Sequence, residues 1–190
     1  MKNIIKNTAI LTVITLVAGV LLGYVYDITK EPIAAAKEKA KNEAYQAVMQ
    51  EADTFEALEV EALELSVEGC TVDEVVAAKA GSELKGYVVT TTTNAGYGGN
   101  IQVSVGIAAD GTVKGIEMLS IAETAGLGMN ATTPEFKGQY ADKLVDGFVV
   151  NKAGASAENE ISAISGATIT SNAVTDAVNT AIEYFKNVLS

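Results

Sequence analysis

The N-terminal apolar run constrains this chain more than any other feature. Twenty uncharged residues, NTAILTVITLVAGVLLGYVY, lie between Lys6 and Asp27. A helix of that length rises about 30 Å, which matches the hydrocarbon core of a bilayer. Tyr24 and Tyr26 fall at the far end of the run, where aromatic side chains favour the membrane interface. The run therefore predicts one transmembrane helix.

A cleavable signal peptide is the competing interpretation of this run. Signal sequences have apolar cores of about 7–15 residues, followed promptly by a small-residue cleavage site. Here the first Ala-x-Ala pattern comes at 34–36, beyond charged residues and Pro32, so an uncleaved anchor is favoured. Lys2 and Lys6 favour a cytoplasmic N-terminus, which would place the remaining chain outside the cytoplasm.

Composition changes twice along the remaining chain. Ala, Lys and Glu dominate 31–52, which predicts a helix that extends the anchor as a stalk, with Pro32 tolerated in a first turn. The acidic stretch 51–68 predicts a strand or a short helix. We therefore expect three parts: a cytoplasmic N-terminus and transmembrane anchor at 1–30, a helical stalk and acidic connector at 31–72, and a folded domain at 73–190.

Turn signals divide the first half of that domain into strands. Gly81-Ser82 separates EVVAAKA from ELKGYVVTTTT, which predicts a hairpin. Asp110-Gly111 separates IQVSVGIA from TVKGIEMLSI, and Asp-Gly is a strong turn signal. Four strands in two hairpins are expected.

The second half of the domain mixes short elements with one long helix. FVVNK (148–152) predicts another strand, and 134–141 predicts a short helix. Apolar residues recur at three- and four-residue spacings from Ile169 to Phe185, which predicts an amphipathic helix packed on the sheet. The fold class is therefore α+β, a twisted antiparallel sheet packed by helices behind one transmembrane helix.

Missing residue types exclude several kinds of site. The chain has no His and a single cysteine, Cys70, which excludes a Ser-His or Cys-His dyad, an imidazole metal ligand and an internal disulfide. Redox chemistry would therefore need an organic cofactor. The net charge of −11 excludes a nucleic-acid-binding surface. Cys70 is expected as a small buried residue rather than a ligand shared with another protein chain.

Three glycine-rich stretches lie between the predicted elements: GYGG (96–99), ETAGLG (123–128) and SGATITS (165–171). Glycine permits positive φ and close approach of the backbone, which ligand sites often use. Such stretches also simply make turns, and for GYGG alone a turn is the favoured interpretation.

SGATITS opens the last predicted helix, where free amides and the positive end of the helix dipole attract anions. Its hydroxyls add donors, and Gly166 with Ala167 leave room for a bulky group. The simpler alternative is that Thr170 or Ser171 is an ordinary N-cap of this helix. The two interpretations are compatible.

The order and spacing of GYGG, ETxGLG and SGATxTS behind one N-terminal anchor resemble the FMN-binding domain family. Within it the chain looks like the G subunits of Rnf-type (Rsx) electron-transport complexes, and the C subunits of sodium-pumping NADH:quinone reductases are similar. The likeness covers about 4–30 and 74–188. In that family a flavin transferase acting outside the cytoplasm esterifies the Thr that ends the SGAT part of this motif to the FMN phosphate, which here implies Thr168.

The resemblance also implies the other cofactor contacts, with no catalytic residue and no metal ligand. Four residues would surround the phosphate: Ser165, Gly166, Ala167 and Thr170. The loop that lines the flavin ring would supply Glu123, Thr124, Gly126, Leu127 and Gly128. Two further neighbours would be Tyr97 and Lys152.

Two positions depart from the family pattern. Ser162 stands three residues before the motif, where the family usually has Asp, which bears on recognition by the transferase, although Glu160 is near. Ala125 replaces the Pro of ETPGLG, which loosens the loop without removing a polar contact.

The function implied by the resemblance is that of a flavoprotein electron carrier in a cell-membrane complex. Such complexes transfer electrons between ferredoxin and NAD and couple this to Na⁺ or H⁺ translocation. The implied partners are the other subunits of the complex, a flavin transferase that binds transiently, and membrane lipid. Alternatives are the C subunit of an NADH:quinone reductase, another extracytoplasmic flavinylated carrier, or a pilin-like or binding protein without redox function.

Overall fold

The structure is a computed structural model that describes residues 1–63 and 65–190. The chain divides into two compact units, Met1–Lys41 and Asn42–Ser190. Each unit is described by itself below.

The first unit is helical. Helix α1 (Lys2–Val48) begins here, and its last residues belong to the second unit. Its most apolar stretch has a mean hydropathy of 2.2, is entirely exposed and is long enough to span a bilayer. The hydroxyl of Thr12 donates to the carbonyl of Thr8 (2.9 Å), so a polar group on this apolar surface is satisfied within the helix. Pro32 lies inside α1 rather than in a first turn, and the helix continues through it as predicted for the stalk.

The second unit is built on a five-stranded antiparallel sheet whose strands follow one another in chain order. Gly81 and Gly111 have φ of +60° and +90° in the turns of the two predicted hairpins, which are confirmed. The strands are β1 (Thr54–Leu58), β2 (Cys70–Ala80), β3 (Glu83–Thr93), β4 (Ile101–Ala108) and β5 (Val113–Ser120).

Strand β1 lies in the acidic connector, for which a strand is one of the two expectations. It pairs with β2 from Thr54↔Lys79 to Leu58↔Val75. One face of the sheet here is covered by the end of α1 and the turn after it, in a buried cluster of Tyr45, Val48, Met49, Ala52, Val76, Ala78 and Val88. The sheet and its packing therefore begin before residue 73.

Helix α3 (Thr168–Tyr184) packs on the opposite face of the sheet, as its apolar periodicity predicts. Ala173, Ala177 and Ala181 are fully buried, and these small side chains allow helix and sheet to approach closely. The Thr91 hydroxyl of β3 donates to the carbonyl of Ala177 (3.0 Å), which fixes the helix against the sheet.

Short elements connect β5 to α3. A single turn, α2 (Pro134–Lys137), is followed by a 3₁₀ turn at Gly138–Tyr140, where the short helix is expected. Strand β6 (Val149–Asn151) confirms the strand predicted at 148–152, but it pairs in parallel with β7 (Glu160–Ser162) in a separate two-stranded sheet. Cys70 is buried at the start of β2, as predicted.

Candidate functional site

The three glycine-rich stretches meet around one cavity of about 580 Å³. GYGG precedes β4, ETAGLG follows β5, and SGATITS opens α3, so adjacent strand ends and a helix end bring them together. The lining residues are Tyr97, Glu123, Thr124, Leu127, Gly128, Gly166, Ala167, Thr168, Ile169 and Thr170.

Helix α3 directs its N-terminus at this cavity. The helix begins at Thr168, and its first internal hydrogen bond runs from the Ser171 amide to the carbonyl of Ala167 (3.0 Å). The amides of Thr168, Ile169 and Thr170 therefore have no acceptor within the helix. Together with the helix dipole they form an anion-binding end.

The prediction that Thr170 or Ser171 is the N-cap is wrong. Ala167 is the N-cap, and it makes no side-chain capping bond. Thr168 consequently lies in the first turn of α3 rather than ahead of it. Without a capping side chain, the helix end leaves its free amides to another acceptor.

Ser171 instead fixes the loop that leads into the helix. Its hydroxyl accepts a hydrogen bond from the Ile164 amide (2.9 Å) and donates to the carbonyl of Ala167 (3.0 Å), fully buried. Gly166 has a φ of +74°, a conformation that L side chains rarely adopt. A Cβ there would also lie 3.1 Å from Leu127 Cδ2. The sequence SGAT thus permits a tight turn against the facing loop.

The four hydroxyl-bearing residues of this motif differ in how far they are exposed to solvent. Thr170 is 1% exposed and Ser171 is fully buried, whereas Thr168 is partly exposed and lines the cavity. Ser165 is exposed but is not part of the lining. Thr168 is therefore the accessible hydroxyl at the anion-binding end of the cavity.

Glu123 ties the loops together. Its side chain is 9% exposed, and its Oε1 accepts a hydrogen bond from the Gly98 amide of GYGG (3.1 Å). At Gly128 a Cβ would lie 2.6 Å from Thr170 Oγ1 and 2.7 Å from Glu123 Oε2. Only glycine therefore fits between the ETAGLG loop and helix α3.

The mouth of the cavity is apolar and uncharged. Tyr97 is 73% exposed, Ile169 54% and Leu127 43%. Such exposed apolar side chains beside a cavity suit a planar apolar group. The apolar period predicts Ile169 as a core residue of the amphipathic helix, and this is wrong, because Ile169 is 54% exposed and lines the cavity.

Three residues implied as cofactor contacts do not line the cavity: Ser165, Gly126 and Lys152. Gly126 has a φ of +75° and shapes the loop, and its carbonyl accepts a hydrogen bond from Asn130 Nδ2 (3.2 Å). Lys152 is exposed in the turn after β6.

The structure also shows the surroundings of Ser162 and Ala125, the two positions that depart from the family pattern. Ser162 ends β7, its hydroxyl accepts a hydrogen bond from the Ala155 amide (2.8 Å), and its own amide donates to Gln139 Oε1 (2.7 Å). These bonds join the loop between β6 and β7 to the 3₁₀ turn at Gly138–Tyr140, and Ser162 is not part of the cavity lining. Ala125 is exposed beside Gly126.

The residues present fit FMN. A phosphate monoester matches the free amides at the start of α3, the missing side chains of Gly128 and Gly166 leave the space between the loops, and the apolar mouth suits an aromatic ring system. Among residues 1–63 and 65–190 no group of three His, Cys, Asp or Glu side chains is arranged to hold a metal ion.

Two family models match this chain. One is described as the FMN-binding domain and matches residues 96–183, and the other is described as the RnfG N-terminal region and matches residues 1–48.

Several curated proteins are similar over nearly the whole chain. The G subunit of the Na⁺-translocating ferredoxin:NAD⁺ oxidoreductase complex of Acetobacterium woodii is 35% identical, over 98% of this chain and 94% of its own. The G subunit of the proton-translocating complex of Clostridium ljungdahlii is 35% identical, over 96% and 91%. The G subunit of the ion-translocating oxidoreductase complex of Methanosarcina acetivorans is 34% identical, over 96% and 95%.

Two solved structures share the fold of about three fifths of this chain. The C subunit of the Na⁺-translocating NADH-quinone reductase of Parabacteroides distasonis superposes with a TM-score of 0.51 at 26% identity, over 62% of this chain and 63% of its own. Shewanella oneidensis NqrC gives a TM-score of 0.50 at 24% identity, over 60% and 57%. The α+β fold behind a long apolar helix is thereby confirmed.

Proposed function

This chain belongs to the family of G subunits of Rnf-type ion-translocating oxidoreductase complexes, and from that premise we propose that it carries electrons on an FMN bound through a phosphoester to Thr168. One observation carries the proposal: the free amides at the start of α3 and the accessible hydroxyl of Thr168 share one cavity. FMN would supply the one- and two-electron redox chemistry that the side chains of this chain lack.

The proposed roles of the residues follow from their places around the cavity. The amides of Thr168, Ile169 and Thr170 would hold the phosphate. Gly166 and Gly128 keep the backbone close on either side of the cavity. Tyr97 and Leu127 would cover the ring system at the mouth and limit its contact with water.

A covalent bond suits this cavity better than reversible binding. No Lys lines it among the described residues, so amides and hydroxyls alone would hold a phosphate there. The mouth also offers few fixed contacts within the protein, since Tyr97 there is 73% exposed. A phosphoester would retain the cofactor where non-covalent contacts are few.

The proposed place of the protein is a relay within the complex. Its relatives in Acetobacterium woodii and Clostridium ljungdahlii are named for Na⁺ and for proton translocation, and both are 35% identical to this chain. Electron transfer between ferredoxin and NAD, coupled to one of these ions, is therefore proposed for the whole complex. The protein would pass electrons between neighbouring subunits rather than bind ferredoxin or NAD.

The proposed topology is a single-pass anchor at 1–30 with a cytoplasmic N-terminus. The FMN-binding domain, at 73–190, would lie outside the cytoplasm, where a flavin transferase reaches Thr168. Residues 31–72 would supply the stalk and connector. The end of α1 packs on one face of the sheet, and β1 is the edge strand paired with β2.

Membership of the C-subunit family of NADH:quinone reductases is the nearest alternative. The likeness to the solved structures of that family spans about three fifths of this chain, whereas the likeness to G subunits spans nearly all of it. The match at residues 1–48 to the RnfG N-terminal region also favours a G subunit. A pilin-like protein would give no reason for the convergence of three glycine-rich loops on a helix N-terminus.

The experiment that tests the proposal is co-expression of the chain with a flavin transferase. The wild type and Thr168→Ser should show in-gel flavin fluorescence and the intact mass of a covalent FMN adduct, since both keep a hydroxyl. Thr168→Ala should show neither. Thr112→Ala, a partly exposed threonine in the β4–β5 turn, serves as the matched control and should resemble the wild type. Covalent flavin in Thr168→Ala would refute the attachment site.

A further inference from the structure

We infer that Glu123 places a fixed negative charge in the cavity and thereby lowers the reduction potential of the bound flavin. This inference rests on the proposed function, because it requires FMN in the cavity. Glu123 follows β5 by three residues and is buried, although it is a charged residue. Buried charges are costly and are seldom retained without a role.

One carboxylate oxygen is held in place by the backbone. Glu123 Oε1 accepts a hydrogen bond from the Gly98 amide, and a Cβ added at Gly96 would lie 2.9 Å from the same oxygen. The GYGG loop thus closes over this side of the carboxylate. The backbone of this loop holds the carboxylate in the cavity wall.

The other oxygen faces the start of α3. A Cβ added at Gly128 would lie within 2.7 Å of both Glu123 Oε2 and Thr170 Oγ1, so the two atoms border the same space. The carboxylate is therefore close to the same helix end that attracts an anion.

No described cation neutralises this charge. Glu123 is the only charged residue among those that line the cavity, and it takes part in none of the ion pairs of the described residues. The lysines of those pairs contact Glu38, Glu56, Glu83, Asp142, Glu117 and Asp146 instead. Within the cavity its charge is offset mainly by backbone dipoles.

An anion-binding cavity gains nothing from a carboxylate in its wall, because like charges repel. The hydrogen bond to Gly98 does not require the charge either, since a glutamine oxygen accepts equally well. Reduction without uptake of a proton would add negative charge to a flavin in this cavity, and a nearby carboxylate would then raise the free energy of the reduced form more than that of the oxidised form. The charge therefore favours a low potential, which suits a carrier of strongly reducing electrons.

Glu123→Gln is the decisive variant, because it removes the charge and keeps both the size and the acceptor for Gly98. We expect the flavin-loaded fraction of this variant to show a more positive midpoint potential than the wild type in a spectroelectrochemical titration. The expected change is about tenfold in the equilibrium constant for one-electron reduction, which corresponds to about 59 mV. Glu135→Gln, an exposed acid in the first turn of α2 outside the cavity, is the control and should leave the potential unchanged.

Glu123→Asp separates charge from geometry, because it keeps the charge and weakens the bond to Gly98. The inference expects its potential to stay near that of the wild type. A wild-type potential in Glu123→Gln would overturn the inference. A raised potential in Glu123→Asp would also overturn it, because that variant keeps the charge, and this test does not require Glu123→Gln to fold.

The two proposals fail in different ways. Absence of covalent flavin from the wild type would refute the proposed function itself. A wild type that carries FMN, together with a Glu123→Gln variant that carries as much FMN at the same potential, would refute only the role of the charge.

Discussion

Four hydroxyl-bearing side chains lie within the seven residues of SGATITS, and burial gives each a different role. Ser171 is fully buried and bonds to the Ile164 amide and the Ala167 carbonyl. Thr170 is buried, and its hydroxyl lies next to Gly128. Ser165 is outside the cavity lining, which leaves Thr168 as the hydroxyl that both lines the cavity and reaches solvent. The chemistry proposed for this site depends on that difference.

At the residue scale, Gly128→Ala should close the gap between the ETAGLG loop and α3. The added Cβ would lie 2.6 Å from Thr170 Oγ1 and 2.7 Å from Glu123 Oε2, which is too close for any real contact. Overpacking of this kind typically costs about 1–3 kcal/mol. We expect a lower free energy of unfolding in urea and less covalent flavin after co-expression with the transferase.

Gly138→Ala is the matched control for this substitution. Its backbone is helical (φ −63°), and nothing lies within 4 Å of the added Cβ. It should keep the flavin content of the wild type and should be as stable as the wild type or slightly more stable. Equal stability and equal flavin content in Gly128→Ala would contradict the close approach of the three loops.

At the scale of the element, the start of α3 is set by a side chain inside the helix rather than by a cap. Ser171→Ala would leave the partly buried Ile164 amide without its acceptor, and the loss of such a hydrogen bond typically costs about 0.5–1.5 kcal/mol. We expect the free energy of unfolding, measured in urea, to fall by that amount. The exposed neighbour Asn172→Ala should change it by less than about 0.5 kcal/mol. An unchanged stability in Ser171→Ala would mean that the loop is held by other contacts.

The loop between β6 and β7 depends on a carboxylate and therefore on pH. Glu160 accepts hydrogen bonds from the amide and hydroxyl of Ser156 and from Asn151 Nδ2, and these bonds lower the pKa of its carboxyl from 4.5 to about 2. A lowered pKa in the folded state means that this contribution to stability is present above pH 4.5 and is lost as the pH falls towards 2.

Comparison of the wild type with Glu160→Gln tests this contribution. The difference between their urea midpoints should be constant from neutral pH down to about pH 4.5 and should shrink between pH 4.5 and 2. A difference that does not vary over that interval would contradict the role of the charged carboxylate.

The sequence predicts the elements whose signals are local. Asp110-Gly111 and Gly81-Ser82 mark the hairpins because their backbone conformations require such residues, and the long helix follows from its apolar period. The parallel pairing of β6 with β7 has no such signal. Each of these strands has three residues, and their pairing depends on the loops and helix around them.

The candidate site is predictable only where its residues carry a local sequence signal. The order of the three glycine-rich motifs in the sequence predicts that they form one site. It does not predict which way the side chains of these loops point. Ile169 fits the apolar period of α3 and yet lies at the cavity mouth, while Lys152 lies outside the lining. The sequence also predicts the start of α3 too late, because Ser171 of this motif bonds to the loop instead of capping the helix.

At the scale of the whole molecule, the boundary of the folded unit can be tested by truncation. Residues 42–190 include the segment 44–52, whose apolar side chains cover Val76, Ala78 and Val88. Residues 53–190 lack it and expose that face of the sheet. Since each large side chain contributes about 1.5–3 kcal/mol when buried, we expect the shorter fragment to unfold at a lower temperature or to aggregate.

Residues 31–190 are the control, because they add only helix that lies outside the compact unit. Their melting temperature should match that of residues 42–190. Equal melting temperatures for 42–190 and 53–190 would show that the end of α1 is not part of the folded core.

The central claim is that FMN is attached to Thr168, and peptide mapping tests it most directly. The chain has no Arg, so trypsin cuts only at lysines and releases one peptide, 153–186, that contains every hydroxyl of the SGATITS motif. Tandem mass spectrometry of this peptide from chain co-expressed with a flavin transferase should place the FMN phosphate on Thr168. An unmodified peptide, or FMN on Ser165, Thr170 or Ser171, would contradict the account.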